Sequence, residues 1–113
     1  MKIIQKELSV LRKNSDICCV TEYDMGDRDI DFAIVTLTGR YPDEGRVNNT
    51  RSKEIVYIHE GNGYVEIDGE NYLLKAGDAV LIETGEKFYW NGSMTLFISC
   101  HPAFTVEQHQ RVE

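Results

Sequence analysis

The first feature of this sequence with chemical capacity is a lone carboxylate, Glu54, at the head of the apolar run Ile55-Val56-Tyr57-Ile58, which His59 and Glu60 carry to Gly61. The run is too short for a lone helix and stops at a glycine, which predicts a buried strand entering a tight turn. Period-two alternation puts Glu54, Val56 and Ile58 on one face and Ile55, Tyr57 and His59 on the other. The carboxylate therefore faces inward with aliphatic neighbours, and His59 points away from it. Such a group either drifts toward its neutral acid or is held charged by donors or an arginine, so it could act as acid, base or ligand anchor. Arg40 and Arg46 are the expected partners for the charged case.

The elements that must position it are strands. A second glycine-punctuated unit runs from Gly77 to Gly85, and strands are predicted over residues 17–23, 32–38, 54–59, 64–67, 70–74, 78–82 and 94–100. Asp68-Gly69 is a hairpin signal, because both central residues of a type I′ turn need positive φ. Turns are also expected over residues 14–16, 60–63 and 91–93. Residues 3–11 fit either a leading strand or a short amphipathic helix, and the charged tail from Val106 to Glu113 is expected to be loosely held. Short strands at even spacing, with little helical periodicity, give an all-β sandwich or barrel. At 113 residues the chain is read as a single domain, residues 1–113.

Charge and composition remove several function classes. Twelve Lys and Arg against 19 Asp and Glu leave a net charge of −7, which repels phosphate backbones and anionic membrane surfaces. Neither nucleic acid nor a membrane is an expected partner, and a cytoplasmic location is expected. Cys18, Cys19 and Cys100 are an odd set without Cys-x-x-Cys spacing, read as reduced, half-buried thiols.

The spacing around Glu54 and Gly77 resembles that of the small single-domain cupins, the RmlC-like jelly rolls, over roughly Thr36 to Pro102. Glu54 stands at the metal-binding glutamate of the first cupin motif with Gly61 at its closing glycine, and Gly77 and Gly85 hold the glycine positions of the second. That resemblance implies a double-stranded β-helix, the cupin jelly-roll barrel. It also implies where the metal ligands should be, and here those positions carry Asn48 and Thr50 in the first motif and Phe88 in the second. A lone carboxylate is no transition-metal site, so no metal and no other cofactor is expected.

The vacated positions would still line a concavity, with Asn48 and Thr50 offering hydrogen bonds, Glu54 a charge, and Phe88 and Trp90 an aromatic wall. Equally, Phe88 and Trp90 could simply fill the barrel. Tyr41 and His101, at the end of the last strand, complete the candidate ligand-binding set. The leading function is a metal-free module for a small polar or sugar-like ligand. The alternatives are a metal-independent isomerase or epimerase, with Glu54 or His101 as base and Tyr41 as acid, and a ligand-free structural dimer. A homodimer is expected in any case, because a small jelly roll leaves edges and apolar outer faces to cover.

Overall fold

The computed structural model describes residues 1–113 and is all-β. Nine strands follow in order: β1 (Val10–Ser15), β2 (Cys18–Glu22), β3 (Ala33–Tyr41), β4 (Arg46–Asn49), β5 (Lys53–Ile67), β6 (Glu70–Lys75), β7 (Ala79–Ile82), β8 (Phe88–His101) and β9 (His109–Val112). Single 3-10 turns at Lys6–Leu8 and Val106–Gln108 are the only helical pieces, and no helix is long and apolar enough to cross a membrane. β8 is the spine of a curled sheet. It pairs with β5 from Lys53↔His101 to Ile67↔Phe88, and with β3 from Ala33↔Ile98 to Tyr41↔Trp90. β1 and β2 extend the β3 side, β6 and β7 the β5 side, and β4 joins β8 at Val47↔Phe88 while carrying β9 on its other edge.

The Asp68-Gly69 hairpin forms as its sequence requires, with φ of 52° and 89° at the two residues, and joins β5 to β6. The turns expected over residues 60–63 and 91–93 do not form: Gly61, Gly63 and Gly92 lie inside the long strands β5 and β8. They are glycines because the two backbones nearly touch there. A Cβ on Gly61 would sit 1.9 Å from the Ser93 carbonyl oxygen, and one on Gly92 2.5 Å from the Gly63 Cα. Glycine inside a strand marks close approach as readily as a turn. A bulge between Ile58 and Glu60 then shifts β5 by one residue, so Glu54, Val56 and Ile58 face inward before it and Val65 after it.

The leading segment resolves into a 3-10 turn followed by a strand, so residues 14 and 15 belong to β1 and the reversal comes at Asp16-Ile17. The tail is also structured. β9 pairs with β4 over Arg46↔Val112 to Asn49↔His109, and buried Gln108 pins the β4–β5 connection. Its Oε1 accepts from the Arg51 and Ser52 amides (3.0 and 2.7 Å), and its Nε2 donates to Ser52 Oγ (2.7 Å). Inward side chains of the sheet form one core of 15 buried residues, with Leu37, Val47, Val56, Ile58 and Leu96 fully enclosed. Each such aliphatic burial is worth about 1.5–3 kcal/mol.

Candidate functional site

The barrel interior is not filled throughout. Alternation along each strand brings the even-numbered residues of β8 inward, with Phe88, Trp90, Leu96, Ile98 and Cys100 on one wall of a cavity. Val35, Leu37 and Tyr41 of β3 and Cys18 and Val20 of β2 complete the apolar part, and Arg12 and Asn14 of β1 stand with Glu22 of β2 and Phe104 at its half-exposed rim. The space measures about 80 Å³, counted at the centres of water-sized molecules. At about 10–15 Å³ per water on that measure, it has room for roughly half a dozen waters, the bulk of one substituted five- or six-membered ring.

Three polar side chains of the lining, Glu54, His109 and Tyr41, are joined through buried Asn49, which is not itself on the lining, in one hydrogen-bonded line. Glu54, only 6% exposed, accepts a hydrogen bond at Oε1 from Asn49 Nδ2 (2.8 Å). Asn49 Oδ1 lies 2.8 Å from His109 Nδ1, and His109 Nε2 lies 2.9 Å from the Tyr41 hydroxyl. The directions follow from the first link. Because the amide nitrogen of Asn49 faces Glu54, its oxygen must accept from His109 Nδ1–H, which leaves Nε2 to accept from the Tyr41 O–H. The Tyr41 and His109 rings lie nearly parallel, 5° apart in plane and 6.1 Å between centroids.

Burial sets the protonation of the line. It raises the Glu54 carboxyl to about 7, further helped by the Asp31 charge and opposed by the Asn49 hydrogen bond. Burial, with Arg12 and Arg111 nearby, lowers His109 to about 4, and burial raises Tyr41 to about 12. His109 and Tyr41 are thus a neutral pair at physiological pH, and Glu54 is the member of the line that titrates there. The thiols on the wall are pushed up by burial, Cys18 to about 11 and Cys100 further, so neither is a nucleophile.

The structure places Glu54, Tyr41, Phe88 and Trp90 on the cavity, with the Phe88 and Trp90 rings packed edge to face at 6.2 Å. The other three expected site residues lie elsewhere. Asn48 is on the opposite face of β4 from buried Val47 and Asn49, with a buried Oδ1 that has no partner, and the exposed Thr50 turns its hydroxyl to the Gln108 carbonyl. The motif spacing that put Asn48 and Thr50 beside Glu54 fails because the alternation does not run on through the Thr50–Ser52 loop between β4 and β5. Apolar Val47 was the readable sign, since its inward face is shared by Asn49. His101 is exposed at the end of β8, with Nδ1 at 2.6 Å from the Asp29 carbonyl oxygen. Neither expected arginine reaches Glu54: Arg40 bonds the Pro42 and Gly45 carbonyls and covers the Tyr89 ring at 3.8 Å, while Arg46 pairs with Glu66. Sequence reasoning missed Asn49, and it missed His109, expected in a loose tail. Nothing in the alternation of its segment marks it, because its inward direction is set by pairing with β4.

The donor set does not fit the metal that the cupin motif would hold. No three His, Cys, Asp or Glu side chains converge, and both nitrogens of His109 are already bonded to Asn49 and Tyr41.

Similar architecture recurs in solved structures. The nucleoside dehydratase Pac13 of Streptomyces superposes with a TM-score of 0.89 at 20% identity, covering 100% of this chain and 92% of that one. A Pac13 variant solved with uridine gives 0.86 at 21% identity, covering 96% and 88%. KdgF from a Halomonas species gives 0.72 at 15%, covering 92% and 96%. Comparison of the sequence with curated proteins returned no match. The sequence pattern of the Cupin domain matches residues 34–96, more than half of the chain, and the protein belongs to the cupin family.

Proposed function

We propose that the chain works as a single cupin domain that binds a small, polar, sugar- or nucleoside-like ligand in the barrel cavity without a metal. The observation that carries this reading is an apolar, ring-sized cavity with one polar line, Glu54–Asn49–His109–Tyr41, along its wall. Pockets for small molecules have this composition: mostly apolar, with a few converging polar groups. Pac13, similar in fold, acts on nucleosides by its description, which agrees in ligand class. A panel of neutral nucleosides and monosaccharides scored by thermal shift tests the reading. A ligand at 100 times its Kd adds about 2.7 kcal/mol to native stability, so a binder raises Tm visibly, whereas a flat panel at millimolar concentration counts against it.

One observation favours a second reading, catalysis of proton transfer. Glu54 titrates near neutrality inside a mostly apolar cavity, the condition a general acid or base needs. In that case Glu54 carries the proton, while Tyr41 and His109 orient the ligand. The earlier alternative of His101 as base has no geometric support, since that side chain lies outside the cavity. Proton exchange from a bound ligand in D2O, absent in Glu54→Gln, tests this.

We further propose that the protein is a homodimer. Ile55, Tyr57 and Leu81 project outward from β5 and β7 at 45–55% exposure, beside Phe97, whose ring stacks on His59 at 4.5 Å. A monomer by light scattering at micromolar concentration would refute it. A cytoplasmic setting fits three thiols of which none is paired.

A further inference from the structure

The hydrogen-bonded line has a polarity that restricts what can lie against it. Each proton in it is directed away from the cavity or along the line: Tyr41 O–H to His109, His109 Nδ1–H to Asn49, Asn49 Nδ2–H to Glu54. Two acceptors of the line remain open. One is Glu54 Oε2, which makes no hydrogen bond although the residue is buried, and the other is the lone pair of the Tyr41 oxygen. The line itself offers an anion no donor. Arg12, the one cation on the wall, stands at the rim and gives Nε to Glu22 (2.7 Å) and Nη1 to Asn14, while Glu54, Glu22 and Asp31 are all acidic. Both Asp31 oxygens already accept from backbone amides, those of Cys100 and Phe104.

From this geometry we infer that the buried edge of the ligand is an uncharged pair of hydroxyls, a diol edge of a sugar ring, donating to Glu54 Oε2 and the Tyr41 oxygen. The inference rests on the proposed binding of a sugar- or nucleoside-like molecule and adds its orientation and charge. A hydroxyl donating to a buried carboxylate makes a charge-assisted bond, and a site built around such donors rejects analogues that lack them. A phosphate or carboxylate on the same edge would face two acceptors and an unneutralised acid.

The test uses uridine, 2′,3′-dideoxyuridine and uridine 3′-monophosphate, titrated calorimetrically into the intact protein at pH 8. The inference predicts that uridine binds, that removal of the diol weakens binding about tenfold or more, and that the 3′-phosphate abolishes it. Tyr41→Phe should weaken uridine severalfold and leave the dideoxy compound unchanged, a pattern that a general loss of fold would not give. Equal binding of uridine and its dideoxy analogue, or tighter binding of the 3′-phosphate, overturns the diol edge while leaving the cavity a binding site. No binding by any of the three overturns both that reading and this one.

Discussion

Glu54→Gln should make the protein more stable above neutral pH, a reversal of the usual cost of altering a buried charged residue. The Glu54 carboxyl sits at about 7 in the folded chain against an ordinary 4.5, so the native state binds its proton more tightly than the unfolded state does. Stability from this group is fully present below pH 4.5 and is lost as pH rises through 7. The gap of about 2.5 pH units, at ~1.4 kcal/mol each, amounts to about 3.5 kcal/mol. Glutamine keeps the shape and can still accept from Asn49 Nδ2 while carrying no charge to desolvate. His109 works in the opposite sense in both proteins, since its pKa of about 4 lies below its unfolded 6.5 and costs stability as pH falls through that range. The difference between the two proteins therefore isolates Glu54. Urea denaturation at pH 5 and pH 8 should show the variant gaining about 2 kcal/mol on wild type between the two. A constant difference, or a wild type favoured more at pH 8, would mean that Glu54 is charged and well solvated in the fold.

The other expectations are independent of that one. Gln108→Leu leaves the Arg51 and Ser52 amides and Ser52 Oγ without their partner, which should cost about 2–4 kcal/mol and release β9; denaturation and hydrogen exchange at residues 109–112 measure both effects. Gly61→Ala puts a methyl where 1.9 Å separates it from the Ser93 carbonyl oxygen, at a φ of 85°, and should abolish folding or cost more than about 3 kcal/mol, read by circular dichroism. Tyr41→Phe strips the donor from buried His109 Nε2 and should cost about 1–2 kcal/mol at pH 7. Mn, Fe, Ni or Zn added to the protein should leave Tm unchanged, and a reproducible rise with one of them would show a site that the donor set does not suggest.

The fold was legible where one local rule decided the outcome. Asp68-Gly69 needs positive φ at both residues, and few other structures satisfy that; Glu54, Val56 and Ile58 alternate with outward residues, and the sheet obeys the alternation. Reading failed where a residue's role depends on a neighbour distant in sequence. Gly61, Gly63 and Gly92 look like turn residues in isolation, and only the contact of β5 with β8 makes them strand residues. The site divides in the same way. Glu54, Phe88 and Trp90 could be placed by parity within their own strands, whereas Tyr41 lies beyond the strand expected over residues 32–38 and faces inward because β3 runs on to it. Asn48 was expected where Asn49 stands because the motif spacing takes no account of the loop at Thr50–Ser52, and His109 was invisible because β9 borrows its direction from β4.

The claim that the cavity admits a ligand can be tested through Trp90, the sole tryptophan of the chain, which forms part of the cavity wall. Titration of uridine followed by tryptophan fluorescence, on wild type and Glu54→Gln at pH 8, reports entry at the site itself. The account predicts a saturable change in the wild type and a weaker affinity in the variant. A fluorescence that stays flat to millimolar uridine, or affinities that are equal in the two proteins, would contradict it.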